Sequence, residues 1–216
     1  MKHKLLLTAV MMVSLSVITA CRQKKHTDKA VLPESAVQSD LSNVSGSPLP
    51  SEVTGGNLQS VSIHEAAMNG LTADIERMIA EGADIDLKDG DGRTPLMYAS
   101  FNGHSGIMQK LISKDAMVNQ SDNYGRTPLM FASSGPYPEA VRLLLKNQAD
   151  PNLLDKEEHF TALMYAAAEG QTEIVKILLT FKADPGKKDV DGDDAMTFAR
   201  NNGHNEIVNL LQPFMK

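Results

Sequence analysis

The chain has 216 residues, 42% of them hydrophobic, with one cysteine and no tryptophan. Its formal net charge of −6 is unevenly placed, because residues 61–216 hold 15 basic and 23 acidic side chains, a net of −8. That balance argues against a nucleic-acid partner, whose phosphates call for a basic surface, and a single cysteine excludes an internal disulfide framework.

Lys2, His3 and Lys4 precede an apolar run from Leu5 to Ile18, closed by Thr19-Ala20-Cys21. A basic start, a short apolar segment and a small-residue ending read as a secretory signal, and the run is short for a membrane span, which needs roughly 20 apolar residues. Ile18-Thr19-Ala20-Cys21 resembles the bacterial lipobox, where cleavage occurs before a cysteine that becomes lipidated. The expected processing removes residues 1–20 as a lipoprotein signal peptide and leaves Cys21 as the lipidation site. The mature protein is then lipid-anchored in the cell envelope and faces the periplasm, with Arg22 leaning towards the outer membrane. An ordinary export signal or an uncleaved anchor is the alternative. From Cys21 to Asn57 the chain is rich in Ser, Pro, Gly, Val and Gln without a sustained period, which predicts a disordered tether with a root-mean-square reach of about 30 Å.

Beyond residue 58 one stretch recurs. Gly92-Arg93-Thr94-Pro95-Leu96-Met97-Tyr98-Ala99-Ser100 returns as Gly125-Arg126-Thr127-Pro128-Leu129-Met130-Phe131-Ala132-Ser133, with 33 residues between Thr94 and Thr127. Fainter copies begin at Val61, Thr161 and Asp194. Thr94 and Thr127 suit a helix N-cap, and Pro95 and Pro128 suit the first helical position. Gly103, Gly170 and Gly203, nine residues after the threonine position, suit a left-handed helix ending. A second apolar stripe at helical spacing follows, as in Ile107, Met108, Leu111, Ile112 and Ile174, Val175, Leu178, Leu179. It closes in segments such as Gln148-Ala149-Asp150-Pro151-Asn152.

These residues resemble the ankyrin repeat family, whose unit is a helix, a tight turn, an antiparallel helix and a projecting β-hairpin finger. The resemblance covers about 156 residues. It implies an all-α solenoid over 58–216 with five units, at about 58–88, 89–121, 122–154, 155–188 and 189–216. The first and last, which lack Thr-Pro, read as caps. Two departures stand inside the row. Pro136 occupies the turn where the family has Gly. Asp155-Lys156-Glu157-Glu158-His159-Phe160-Thr161 lacks the finger glycine and runs one residue over the period, which predicts one distorted finger.

No catalytic constellation is legible, and no cofactor, metal ion or small-molecule substrate is expected. Asp89-Gly90-Asp91-Gly92 and Asp189 to Asp194 resemble fragments of calcium loops but lack the sixth-position glycine and distal glutamate. His64, His104, His159 and His204 have no ligand spacing, and Met97, Met130 and Met164 suit packing better than ligation. The resemblance implies recognition of another protein by finger tips and first-helix ends. In the fingers these are Asp91, Arg93, Asn123, Tyr124, Arg126, Glu157, Glu158, His159, Phe160, Asp191 and Asp193; on the helix ends they include Phe101, Asn102 and Glu169. Phe101 and Phe160 have packing between adjacent units as the competing role. The function expected is a non-catalytic, membrane-tethered binding module that presents an acidic surface to a basic one. The sharper form is an inhibitor or immunity protein against an envelope-attacking hydrolase, and the alternative is a scaffold or assembly factor for a periplasmic enzyme, for example in oxidative-stress defence.

Overall fold

Helix starts follow from the residue that opens each unit. Ser62, Thr94, Thr127, Thr161 and Asp194 have extended backbones, and each side chain accepts the N–H of the third helical residue, which would otherwise lack a partner. In the computed structural model, which describes residues 61–214, these caps open α1 (Ile63–Met68), α3 (Pro95–Phe101), α5 (Pro128–Ser133), α7 (Ala162–Ala168) and α9 (Ala195–Asn201). Each is followed by a second helix: α2 (Thr72–Ala80), α4 (Ser105–Ile112), α6 (Pro138–Lys146), α8 (Thr172–Thr180) and α10 (Asn205–Leu211). A 3-10 turn, Gln212–Phe214, ends the described chain. The leader, Cys21 and the whole of the tether lie outside the described residues.

Methionine takes part in the caps of the middle units. Met97, Met130 and Met164 are buried, and each sulfur lies 3.4 Å from the backbone nitrogen of its own N-cap threonine, whose N–H it accepts. The thioether thus does what a glutamate or glutamine does in a capping box, while its methyl group stays in the core.

Gly70, Gly103, Gly170 and Gly203 turn the chain between paired helices with φ of 74°, 68°, 73° and 78°. In the third unit Pro136 removes this option, and the chain instead passes through Tyr137 into Pro138 at the start of α6. The Tyr137 ring covers Gly103 much as the His104 ring covers Gly70 and the His204 ring covers Gly170. His104 Nε2 also bonds Met68 O at 3.1 Å, and His204 Nε2 bonds Ala168 O at 3.0 Å. These histidines join neighbouring units.

The units stack because their apolar positions form columns. Ala66, Ala99, Ala132, Ala166 and Ala199 are fully buried, small enough to let successive first helices approach. Met78, Leu111, Leu144, Leu178 and Leu211 form the matching column on the second helices. Each first helix packs on its neighbouring first helices and on the second helix of its own unit, so the core is one continuous layer built from local neighbours. Beside that layer Asn119 accepts the N–H of Asp150 (2.8 Å) and donates to Gln148 O (2.9 Å). Asn152 repeats the pattern with Asp184 and Lys182. At the first junction Asp86 stands in the same place and accepts Met117 N–H at 3.1 Å, but a carboxylate has no proton to return.

Among the described residues there is no strand, and no helix is long and apolar enough to cross a membrane. The fingers are hairpins too short for a ladder, each held by its first aspartate. Asp89 N–H donates to Arg93 O, Asp122 N–H to Arg126 O and Asp189 N–H to Asp193 O, at 2.9–3.0 Å. Successive tips are joined by one backbone bond each: Asn123 N–H to Asp91 O, Lys156 N–H to Tyr124 O and Val190 N–H to Glu158 O.

Candidate functional site

Each finger is shaped by an aspartate that folds the backbone onto its own carboxylate. Asp89 Oδ1 accepts from Asp91 N and Arg93 N at 2.9 and 2.8 Å, and Asp122 Oδ1 from Tyr124 N and Arg126 N at 3.0 and 2.8 Å. Asp189 Oδ1 accepts from Asp191 N and Asp193 N at 3.0 and 2.7 Å. The calcium-like aspartates therefore serve the finger turns themselves.

The long finger absorbs its extra residue at one point. Asp155 Oδ1 accepts from Glu158 N and Phe160 N, and Glu158 O takes the bond from the next finger, so Glu158 holds the tip position of Asp91 and Tyr124. Glu157 is the inserted residue. His159, with φ 59°, adopts the left-handed conformation that Gly92, Gly125 and Gly192 supply elsewhere. The finger expected to be distorted keeps its register with both neighbours, because the insertion bulges outward at an exposed glutamate.

That alignment puts Arg93, Arg126, Phe160 and Asp193 in one backbone position. Arg126 is tied to Asp122, with Nε and Nη2 at 2.9 and 2.8 Å from Oδ2, and its guanidinium lies over the rings of Tyr124 and Phe131 at 4.8 and 5.1 Å. Arg93 pairs with Asp91 at 3.3 Å. Phe160 corrects the expectation of a partner contact. It is 7% exposed and packs edge-on against Tyr165 and Phe198, at 5.6 and 5.1 Å, so its side chain is used inside the domain.

The other expected residues divide by exposure. Asp91, Asn123, Tyr124, Glu157, His159, Glu169 and Asp191 are exposed, while Arg93, Phe101, Asn102, Arg126, Glu158 and Asp193 are half-buried. Asn123 Nδ2 donates to Gly90 O at 3.2 Å, Asn102 Nδ2 to Tyr98 O at 3.2 Å, and Phe101 meets Phe131 edge-on at 6.2 Å. Glu169 is the residue after α7, on the rim of the first-helix row.

A second row was not assigned a role from sequence. Tyr98, Phe131, Tyr165 and Phe198 recur immediately before the alanine column, and that recurrence was the available signal. The Tyr98 hydroxyl donates to Asp89 Oδ2 at 2.6 Å and the Tyr165 hydroxyl to Asp155 Oδ2 at 3.0 Å. Burial opposes ionisation of Asp89, but the Tyr98 hydroxyl and the Arg93 and Asp91 amides outweigh it and hold the carboxyl below its usual range. Burial, then the charge of Asp155, pushes the Tyr165 hydroxyl far up. Glu158 is also raised, first by loss of solvent and then by Asp155, Asp191, Asp189 and Glu157 around it.

A family model described as ankyrin repeats (3 copies) matches residues 63–155 and 135–214. The chain belongs to the ankyrin repeat family. Ankyrin repeats indicate a protein–protein interaction module. No curated protein matches the chain. Among the described residues of the ankyrin domain, no group of three His, Cys, Asp or Glu is placed to hold a metal ion.

Proposed function

We propose that this ankyrin protein is a non-catalytic binding protein tethered to the bacterial envelope, whose fingers cover a basic surface on an envelope-attacking hydrolase and inhibit it. One observation carries the reading. The shared finger position changes from Arg93 and Arg126, each paired with an aspartate of its own finger, to Phe160 and Asp193, so the later fingers carry no arginine there. Asp122 has Arg126 against it, whereas no described Lys or Arg forms an ion pair with Asp155, Glu157, Glu158, Asp189 or Asp191. Covering such carboxylates is costly unless the partner brings cations, so electrostatic complementarity selects a Lys- or Arg-rich surface and speeds its encounter. Exposed Tyr124, braced by Arg126, supplies an aromatic anchor of the type that dominates interfaces. The lipobox-like leader supports an envelope location.

The test is capture from envelope extract by the full chain in detergent, beside a Glu157→Lys, Asp191→Lys variant of unchanged thermal stability. A hydrolase retained by the native chain, lost by the variant and inhibited by the native chain supports the proposal. Retention by both forms removes the fingers as the recognition surface. A captured enzyme that keeps its full activity replaces inhibition by the scaffold or assembly role.

A further inference from the structure

We propose that Asn69-Gly70 is a site of spontaneous succinimide formation, selected by the fold over two other Asn-Gly pairs. Asn102-Gly103 and Asn202-Gly203 are those pairs, and glycine after asparagine is the sequence most open to this reaction because no side chain shields the attacking nitrogen. All three asparagines end a first helix with nearly the same backbone, φ −93° and ψ 2° at Asn69, −100° and 3° at Asn102, −96° and 1° at Asn202. A ψ near zero holds the glycine nitrogen away from the side-chain carbon, so reaction waits on opening of the helix end.

Hydrogen bonding separates the sites. Gly103 N–H donates to Ser100 O and Gly203 N–H to Arg200 O, both at 3.2 Å. Asn102 Nδ2 donates to Tyr98 O and Asn202 Nδ2 to Ala168 O, at 3.2 and 3.1 Å. Gly70 N–H and the Asn69 side chain have no such partner among the described residues, and Asn69 is exposed while the other two asparagines are half-buried. Ring cover does not account for the selection, since His104 lies over Gly70 and Tyr137 over Gly103 while a Cβ on Gly203 would meet no neighbour. The His104 Nε2 bond to Met68 O ties the end of α1 to the next unit, but the reacting atoms of Asn69 and Gly70 themselves have the fewest bonds to break.

In the reaction Gly70 nitrogen gives its proton to hydroxide or buffer base and bonds to Asn69 Cγ. The Cγ–Nδ2 bond breaks, and that nitrogen takes up a proton and leaves as ammonia. Water then opens the ring at either carbonyl, leaving aspartate or isoaspartate at position 69. A neutral amide becomes a carboxylate on the first-helix rim, which makes that end of the surface more acidic with age.

The test is incubation of the purified full chain in mildly alkaline buffer made with heavy-oxygen water, followed by peptide mass mapping, in parallel with concentrated urea. The expected result is heavy-oxygen uptake at position 69 several-fold faster than at 102 and 202 in the native protein, and convergence of the three rates in urea. Native uptake at 102 or 202 as fast as at 69, a preference that persists in urea, or no uptake at 69 each overturns the proposal.

Discussion

Phe160 meets Phe198 edge-on between the fourth and fifth units, with ring centroids 5.1 Å apart. The contact exists because Phe160 stands where Arg93 and Arg126 stand in earlier fingers, and an apolar ring there points onto α9 and away from solvent. Phe160→Ala is expected to destabilise the domain by about 3 kcal/mol through loss of buried ring and aromatic contact. Tyr124→Ala, at an exposed tip, is expected to cost roughly 0.5 kcal/mol or less. Urea unfolding midpoints check both, and equal effects would contradict the burial of Phe160.

His159 occupies a left-handed position filled by glycine in three other fingers. A non-glycine residue there costs roughly 1–2 kcal/mol, partly offset because glycine has more freedom to lose on folding. His159→Gly is therefore expected to stabilise the domain by about 0.5–1 kcal/mol in a denaturant titration. Gly125→Ala is expected to destabilise it by more, since a Cβ there would meet Lys156 nitrogen at 2.6 Å.

The sulfur caps predict a penalty at constant volume. Met164→Leu keeps an apolar side chain of similar size but leaves the Thr161 N–H without its acceptor in a buried position. A loss of about 1 kcal/mol is expected, as for other helix caps. Leu163→Met, which leaves the cap intact, is the control for the swap itself and should cost less if capping is the cause.

Asp86 predicts a pH effect. Loss of solvent raises its carboxyl above the usual value, against the opposing bond from Met117 N–H and with help from Asp84. The folded state therefore binds the proton more tightly than the unfolded chain. Its contribution favours folding below the unfolded carboxylate range and is lost as pH rises through the raised folded value. Asp86→Asn restores the two-way junction made by Asn119 and Asn152, with an expected gain of about 1 kcal/mol at neutral pH. Measured as a difference from the unmutated chain, the gain should shrink as pH falls through that range. A difference independent of pH would contradict the assignment.

Legibility in the sequence followed the range of the interaction. Thr94, Pro95, Gly103 and their repeats at Thr127, Pro128 and Gly170 act within one turn of chain, so helix starts and turns could be read in order. The columns could be read too, because one period repeated over five units leaves few ways to pair their apolar faces. The fingers resisted. Which residue of Asp155 to Thr161 is extra depends on the bond that Glu158 O accepts from Val190 N, in the next unit. Whether Phe160 faces a partner or the core depends on Phe198.

The sequence by itself determined the unit, its period, the five helix pairs with the caps at Thr94 and Thr127, and the acidic balance of the repeats, since cap, turn and periodicity preferences are set by near neighbours. Only the tertiary structure decided that Glu157 is the bulge, that His159 replaces a glycine, that Phe160 is buried and that three methionines cap their own helices. Exposure, register and the direction of a hydrogen bond are properties of what the stacked neighbours, about 33 residues away in the chain, bring alongside.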